Sequence, residues 1–508
     1  MPVRLSQLLL RLHNLWAWLQ HPLTDHYPVA TLAGAAGLSA LIYLLVFVRS
    51  FNLRRLYNQP LLDLYQVSKS DPLIVWKVVA AFVALGVLYW LAWRAAQRAS
   101  GRVAWFVVIG GALLFSGLLL FVFPYDAADV FDNILRGRIT GVYGFNPFQD
   151  TPEHFSTDPF YPYMAWRYTT SMYGPGWELL AGLTARFVGA DVVATDVVAT
   201  VLAFKLVLVA FLAGSVTTLA AILRRIAPDR ALAGIVFLAW NPLVLHEAIG
   251  NGHNDIVMIF WVLLAIWWLL KRHYTLAVLA LVVGALFKYV PVLMLPAAGL
   301  IAWRDLITVR DRRRFLVGVI AGSSLLILLA YAPFWHGPGT LTLDLQNRLF
   351  SSSLPAAIYV GLQSLLSEET AAQVVSGLAV GLTVIFALGQ ALRAQHDRSA
   401  LSFTRSAFYI LMFWLMFTGP WYQHWYAVWM LPLAALLAPG RSVRLAVVFS
   451  IAAIAKFFVI TPVALWVLHM PVNNSLELWF GPLVMALPWA YALYALWRSR
   501  PAVQIATK

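Results

Sequence analysis

Three carboxylates stand in Asp126-Ala-Ala-Asp129-Val-Phe-Asp132, directly after the apolar run Val103 to Phe123. Carboxylates are expensive in hydrocarbon, so a group of them at a membrane exit must face water, a cation or a substrate. Four other segments carry reactive or recognising side chains: Tyr143-Gly144-Phe145-Asn146-Pro147-Phe148, Met172-Tyr173-Gly174-Pro175-Gly176, His246-Glu247 with Gly250-Asn-Gly-His253-Asn254-Asp255, and Gly419-Pro-Trp421-Tyr422-Gln-His424-Trp425. Acids and imidazoles move protons, and flat aromatic rings stack on cyclic ligands.

His246, Glu247, His253 and Asp255 are of metal-ligand type, but their spacing argues against a metal. Two zinc histidines on a helix sit four apart, whereas these are seven apart across Gly250-Asn-Gly, which should end the helix. No metal site and no divalent cofactor is therefore expected. Asn254 or Asp255 could cap the following helix, and Asp126, preceding a helix expected from about Ala127 to Gly137, has the better claim to its cap. Asp129 could equally pair with Arg136 or Arg138. Trp421, Tyr422, His424, Trp425 and Tyr426 fit a ring-stacking platform or an interfacial aromatic belt.

What positions these segments follows from composition. The chain has 508 residues, 61% of them hydrophobic and 11% charged, with a mean hydropathy of +0.76. No soluble domain of this length carries such a surface, so it is an all-α polytopic membrane protein forming a single integral domain over 1–508. About fourteen apolar runs are expected to span: 29–48, 73–93, 103–123, 196–223, 231–249, 255–270, 274–287, 289–303, 315–335, 371–392, 403–418, 421–438, 443–465 and 477–497. Residues 1–28 read as a cytoplasmic amphipathic segment, 124–195 as a large external loop with short interfacial helices, and 196–508 as the remaining bundle.

The net charge of +14 sits mostly in short connectors, which fits positive-inside topology and gives no reason to expect nucleic acid. Arg94, Arg98, Arg102, Arg224, Arg225, Arg230, Lys271, Arg272, the Arg304 to Arg314 group, Arg393, Arg398, Arg441, Arg444, Arg498 and Arg500 fall on one side, taken as the cytoplasm with both termini. All five reactive segments then face outward. The connector 49–72 resists, because it carries Arg49, Arg54, Arg55 and Lys69 and yet lands outside. Residues 274–303 are too long for one span and short for two, so a hairpin broken near Lys288 and Pro291 is expected, and irregular backbone at membrane depth points to a site. The absence of cysteine removes disulfides and thiolate chemistry.

The order Asp129-Val-Phe-Asp-Asn-Ile-Leu-Arg-Gly137-Arg138, then Gly144-Phe-Asn-Pro147, then Tyr173-Gly-Pro175 resembles the first external loop of bacterial polyprenyl-phosphate-sugar-dependent glycosyltransferases of the GT-C class. Asn241-Pro-Leu-Val-Leu-His-Glu247 followed by Gly250-Asn-Gly-His253-Asn-Asp255 is similar to a stretch of the α-1,6-mannosyltransferases that build lipomannan-type glycans. The resemblance covers about 124–300 and resumes near Trp421. It departs at Asp132 and Arg136, where related loops often carry Arg and Asp.

The resemblance implies a GT-C-like bundle of about 13–14 helices in the bacterial plasma membrane. It implies inverting transfer of a hexose, expected to be mannose, from a polyprenyl-phosphate donor to an extracytoplasmic glycan or glycolipid, giving an α-linkage. On that reading Asp129 is the general base with Asp126 as its alternate. Lys288, Arg136, Arg138 and His424 serve the donor phosphate, with Arg167 and Arg348 as further cations. Asn146, Tyr173, Glu247, His253, Asn254, Asp255, Trp421, Tyr422 and Trp425 contact sugar or acceptor. Transport or lipid flipping is the competing class, as is the same chemistry on lipid A, protein or a lipid-linked polymer. Few in-span charges, chiefly Lys77, Lys205 and Lys456, argue against transport. The oligomeric state stays open.

Overall fold

The computed structural model describes residues 22–462 apart from 190–194 and 342–348, together with scattered positions between 468 and 498. Most of the amphipathic N-terminal segment, Arg348 and most of the last apolar run lie outside the described residues. Helices make up most of what is described, and extended pairing there is limited to two isolated bridges, Asn52 with Val122 and Ser351 with Trp421. The main helices are α1 (Pro28–Val48), α2 (Leu73–Ala96), α3 (Gly101–Leu119), α4 (Asp129–Gly141), α5 (Pro175–Val188), α6 (Val197–Ile226), α7 (Ala231–Ala239), α8 (Pro242–Gly250), α9 (Asp255–Leu270), α10 (Tyr274–Phe287), α11 (Leu295–Asp305), α12 (Val309–Tyr331), α13 (Glu368–Asp397), α14 (Ala400–Thr418) and α15 (Arg441–Pro462).

The all-α polytopic class holds, but fewer of the apolar runs are full spans than expected. Among the described residues seven helices, α1, α2, α3, α6, α12, α13 and α14, are long and apolar enough to cross a membrane, and the pair around Asn241, bent by 48°, would make an eighth. The shortfall has local causes. α9 and α10, with 16 and 14 residues, reach only about 24 and 21 Å, short of the ~30 Å hydrocarbon layer. The run 421–438 divides into a 3-10 turn at His424–Trp429 and a six-residue helix at Leu431–Leu436. The hairpin near Lys288 breaks as its prolines require: α10 ends at Phe287, Lys288 is extended (φ −150°, ψ 124°), and a 3-10 turn over Val290–Met294 leads into α11.

Two ends of the bundle differ chemically. The end of α3, the starts of α6 and α9, and the ends of α10 and α14 carry the acids, histidines and glycine turns. The opposite helix ends carry the arginines, where Arg304 donates to Gln395 (3.2 Å) and Arg398 to the Arg304 carbonyl (3.3 Å). The connector 49–72 belongs to the acidic end despite its charge, since Leu53 N donates to Phe121 O (2.8 Å), Phe123 N to Phe51 O (2.6 Å) and Leu64 N to Tyr125 O (3.0 Å). Outward-facing apolar side chains such as Ile320, Leu328 and Leu329 on α12 and Leu378 and Ile385 on α13 are exposed in the protein alone, as a lipid-facing wall must be.

Candidate active site

The loop after α3 has an ordered core of its own. α4 opens with Asp129 and Asp132 in its first turn and closes with Arg138 in its last, charges that complement the helix dipole. α5 packs along it, and the Trp177 indole N–H donates to Asn133 Oδ1 at 2.8 Å. Two of the arginines expected at the donor phosphate hold this core instead. Arg138 is fully buried, with Nε donating to Asp158 Oδ2 (2.7 Å) and Nη1 to Gly189 O (3.2 Å) and Thr195 Oγ1 (3.0 Å). Arg136 donates to the carbonyls of Thr169 (2.9 Å) and Trp166 (3.3 Å). Neither pairs with Asp129.

Asp132 is buried beneath the loop, and desolvation, only partly offset by Arg136, raises its carboxyl to about 7. Glu178 on α5, bonded to the Ser171 hydroxyl, is likewise raised by burial to about 7. Asn146 also serves the loop: its Nδ2 donates to Phe334 O (2.8 Å) and its Oδ1 accepts from Phe148 N (3.0 Å).

Above this core the carboxylates and histidines interleave. Asp129 Oδ2 lies 3.3 Å from His253 Nδ1, and the far nitrogen of His253 lies 3.4 Å from Glu247 Oε2, out of hydrogen-bond alignment. Glu247 Oε1 in turn sits 2.8 Å from His246 Nδ1 and 3.4 Å from His424 Nε2, which donates to Asp126 Oδ2 at 2.6 Å. The His253 ring stacks on Trp425 with centroids 4.0 Å apart.

Burial alone would lower both imidazoles, but the carboxylates outweigh it. His253 is raised, and His424 is raised to about 10 by Asp126 and Glu247. Asp126 and Asp129 are thereby separated in role: the Asp126 side chain is 3% exposed and bonded to His424, whereas Asp129 is 23% exposed. Neither caps a helix. α4 begins at Asp129 itself, after Ala128, and α9 begins at Asp255 after Asn254, whose side chain makes no cap bond. Gly252 is required where it stands, since its φ is +80° and a Cβ there would come within 2.9 Å of Val130 on α4.

The hairpin break delivers Lys288 to the same place. Its Nζ bonds Asp255 Oδ1 at 2.5 Å and lies over the rings of Tyr426 (4.8 Å), Trp429 (5.2 Å) and Tyr173 (5.8 Å). Asp255 also accepts from the Trp429 indole N–H. Tyr173 reaches this cage because Gly174 permits it: a Cβ on Gly174 would stand 2.1 Å from Leu286 O at the end of α10. Of the remaining aromatic candidates, Trp421 meets Trp166 edge-on at 6.0 Å, while Tyr422 is turned into the core against Phe449 and Trp489, away from the cluster. Arg167 lies over Tyr161 at 4.7 Å.

A family model described as alpha-(1->6)-mannopyranosyltransferase, N-terminal domain, matches residues 31–304. The chain belongs to that family. The match runs from α1 to α11, so Asp126, Asp129, Glu247, His253, Asp255 and Lys288 of this mannosyltransferase-family glycosyltransferase lie within it, and His424, Trp425 and Trp429 are added from beyond it. A search of curated proteins returns no match.

Four supports of the enzyme's site were not among the sequence candidates. Tyr125 shares a 2.7 Å hydrogen bond with His246 Nε2, and Asn251 donates to Glu247 Oε2 at 3.1 Å. Ser351 pairs through its backbone with Pro420 and Tyr422, which fixes the turn that presents His424. Lys205, fully buried in α6, donates to Val122 O (2.5 Å) and Gly250 O (2.6 Å), tying the chain before Asp126 to the glycine turn before His253. Its signal was visible as an ionisable residue inside a span, which is expensive unless it has work there. Lys205→Met keeps the stem and removes the tie, so kcat should fall by about 10–100-fold, with donor KM within about twofold of wild type. Steady-state kinetics decide this, and an unchanged kcat would show that the loops are held without the lysine.

Proposed function

We propose that the enzyme moves a mannosyl residue from a polyprenyl-phosphate donor to a hydroxyl of an extracytoplasmic glycan or glycolipid, with inversion, forming an α-1,6 linkage. The observation that carries this reading is Asp129, whose carboxylate is 23% exposed where that of Asp126 is 3% exposed, and which is backed by His253 at 3.3 Å. An acceptor hydroxyl ionises far above neutral pH, so it needs a base as it attacks. Its proton passes to Asp129, its oxygen bonds the anomeric carbon, and the bond from that carbon to the phosphate oxygen breaks with its electron pair on the departing lipid phosphate. A single base suffices for one inverting displacement.

Lys288 supplies charge to that phosphate by exchanging Asp255 for it within the aromatic cage. Trp425, Tyr173 and Tyr426 offer flat faces to the sugar. Glu247 and His253 act behind Asp129, and neither a nucleotide nor an organic cofactor enters. The arginine-rich opposite end supports a cytoplasmic placement of that face, which puts the acidic end outside in a plasma membrane.

The test supplies purified enzyme with labelled polyprenyl-phosphate mannose and, separately, a nucleotide-linked mannose, against glycolipid, lipid A, peptide and lipid-linked polymer acceptors, with the product linkage read by NMR. Label transferred from the lipid donor to a glycan or glycolipid as an α-1,6 mannoside is the expected result. Transfer from the nucleotide sugar alone would overturn the reading.

A further inference from the structure

Asp126, Glu247 and His424 arrive from three separate segments: the turn after α3, the end of α8 and the turn after α14. Their nearest ligand atoms all lie within 4.8 Å of one another. We propose that this trio binds a divalent transition-metal ion, zinc or manganese, that clamps the three segments behind the acceptor-side carboxylate.

The donor set suits such an ion: with the Nε2 proton of His424 released to solvent on binding, two carboxylate oxygens and one imidazole nitrogen are zinc- and manganese-type ligands, with the fourth position left to water. The distances suit it as well. Ligand atoms about 2.0–2.1 Å from a tetrahedral ion stand roughly 3.3 Å apart. His424 Nε2 is 3.4 Å from Glu247 Oε1 and 2.6 Å from Asp126 Oδ2, with all three ligand atoms within 4.8 Å of one another, so the imidazole and Glu247 already stand at ligand spacing and the Asp126 carboxylate has to shift to admit the ion.

The surroundings are those of a ligand set rather than of a lone ion pair. Glu247 is oriented on both oxygens, by His246 at Oε1 and by the Asn251 amide at Oε2, and His246 is itself held by the Tyr125 hydroxyl. Ligand carboxylates are commonly held in this way by outer groups. The plane of His424 is set by the edge-on Trp425 ring, 5.1 Å away at 76°. Beside the trio, His253 Nε2 is buried without a hydrogen-bond partner, 3.4 Å from the second oxygen of Glu247.

Spacing along the chain could not reveal this set. It argued against a metal at His246, Glu247, His253 and Asp255, and that argument concerns neighbours on one segment, whereas Asp126 and His424 are 298 residues apart. The proposal does not rest on the identity of the donor.

The experiment is elemental analysis of the full chain purified in detergent without chelator, then stripped and reloaded with zinc, manganese or cobalt(II). Wild type should hold about one equivalent of metal, and Asp126→Asn and His424→Ala should each lose it by about tenfold or more, while His396→Ala at the opposite end keeps it. Wild type that takes up no stoichiometric metal after reloading, or variants that hold as much as wild type, would overturn the proposal. Should the two variants fail to fold, the visible spectrum of cobalt-loaded wild type decides: intense tetrahedral bands support the site, and a weak octahedral aquo-like spectrum rejects it.

Discussion

Asp129→Asn should lower kcat for sugar transfer by about 10²–10⁴-fold, the contribution of a positioned general base. Donor binding and thermal unfolding should stay close to wild type. The side chain keeps its size and its place at the start of α4, where it makes no cap bond, so the helix loses little. What it loses is the ability to accept a proton. Asp126→Asn is the informative comparison, because that carboxylate is buried against His424 and its loss should act through the architecture, seen as lowered thermal stability. The measurement is transfer of labelled sugar under saturating donor and acceptor, with an unfolding curve for each variant. Near wild-type turnover in Asp129→Asn would remove it as the base and return the question to Asp126.

Much of this site could be read from the sequence because its parts are local motifs with strong physical signatures. An acidic run at the end of an apolar one, a lysine at a proline-broken hairpin, and a Gly-Asn-Gly turn before a histidine each report a departure from lipid-compatible helix, and the fold gathers all three. Partner choice was not legible. The sequence offers Arg136 and Arg138 as external cations, and only the crossing of α4 with α5 and the return of the chain through Asp158 shows that both are consumed inside the loop. Asp126 looked like a cap because it precedes a helix, yet a residue from 298 positions away takes its carboxylate. Span length failed for a related reason: α9 and α10 line an internal polar site, so apolar composition does not oblige them to cross the whole layer.

Arg138→Met should destabilise the loop by about 3–5 kcal/mol, the usual result of breaking one side of a buried ion pair. Arg138 and Asp158 are both completely buried at 2.7 Å. The variant leaves the Asp158 carboxylate with only the Phe160 N–H and the Tyr143 hydroxyl, each at 2.8 Å. Gly189 O and Thr195 Oγ1 lose their donor at the same time, so the segment leading into α6 should loosen with the loop. Early cleavage within 124–195 by a protease added to one face of proteoliposomes, together with a lowered unfolding temperature, would register both. The decisive variant is the double one. Arg138→Met with Asp158→Asn removes the unpaired charge, keeps one oxygen to accept from the Phe160 N–H, and turns an amide N–H toward the Tyr143 hydroxyl, which can accept it, so it should recover more than half of the lost stability, and transfer activity with it. A donor-phosphate role for Arg138 predicts the opposite for activity, since a refolded loop without the guanidinium would still bind donor poorly. Recovered stability with donor KM still raised about tenfold or more would move Arg138 from the loop's interior to the substrate's phosphate.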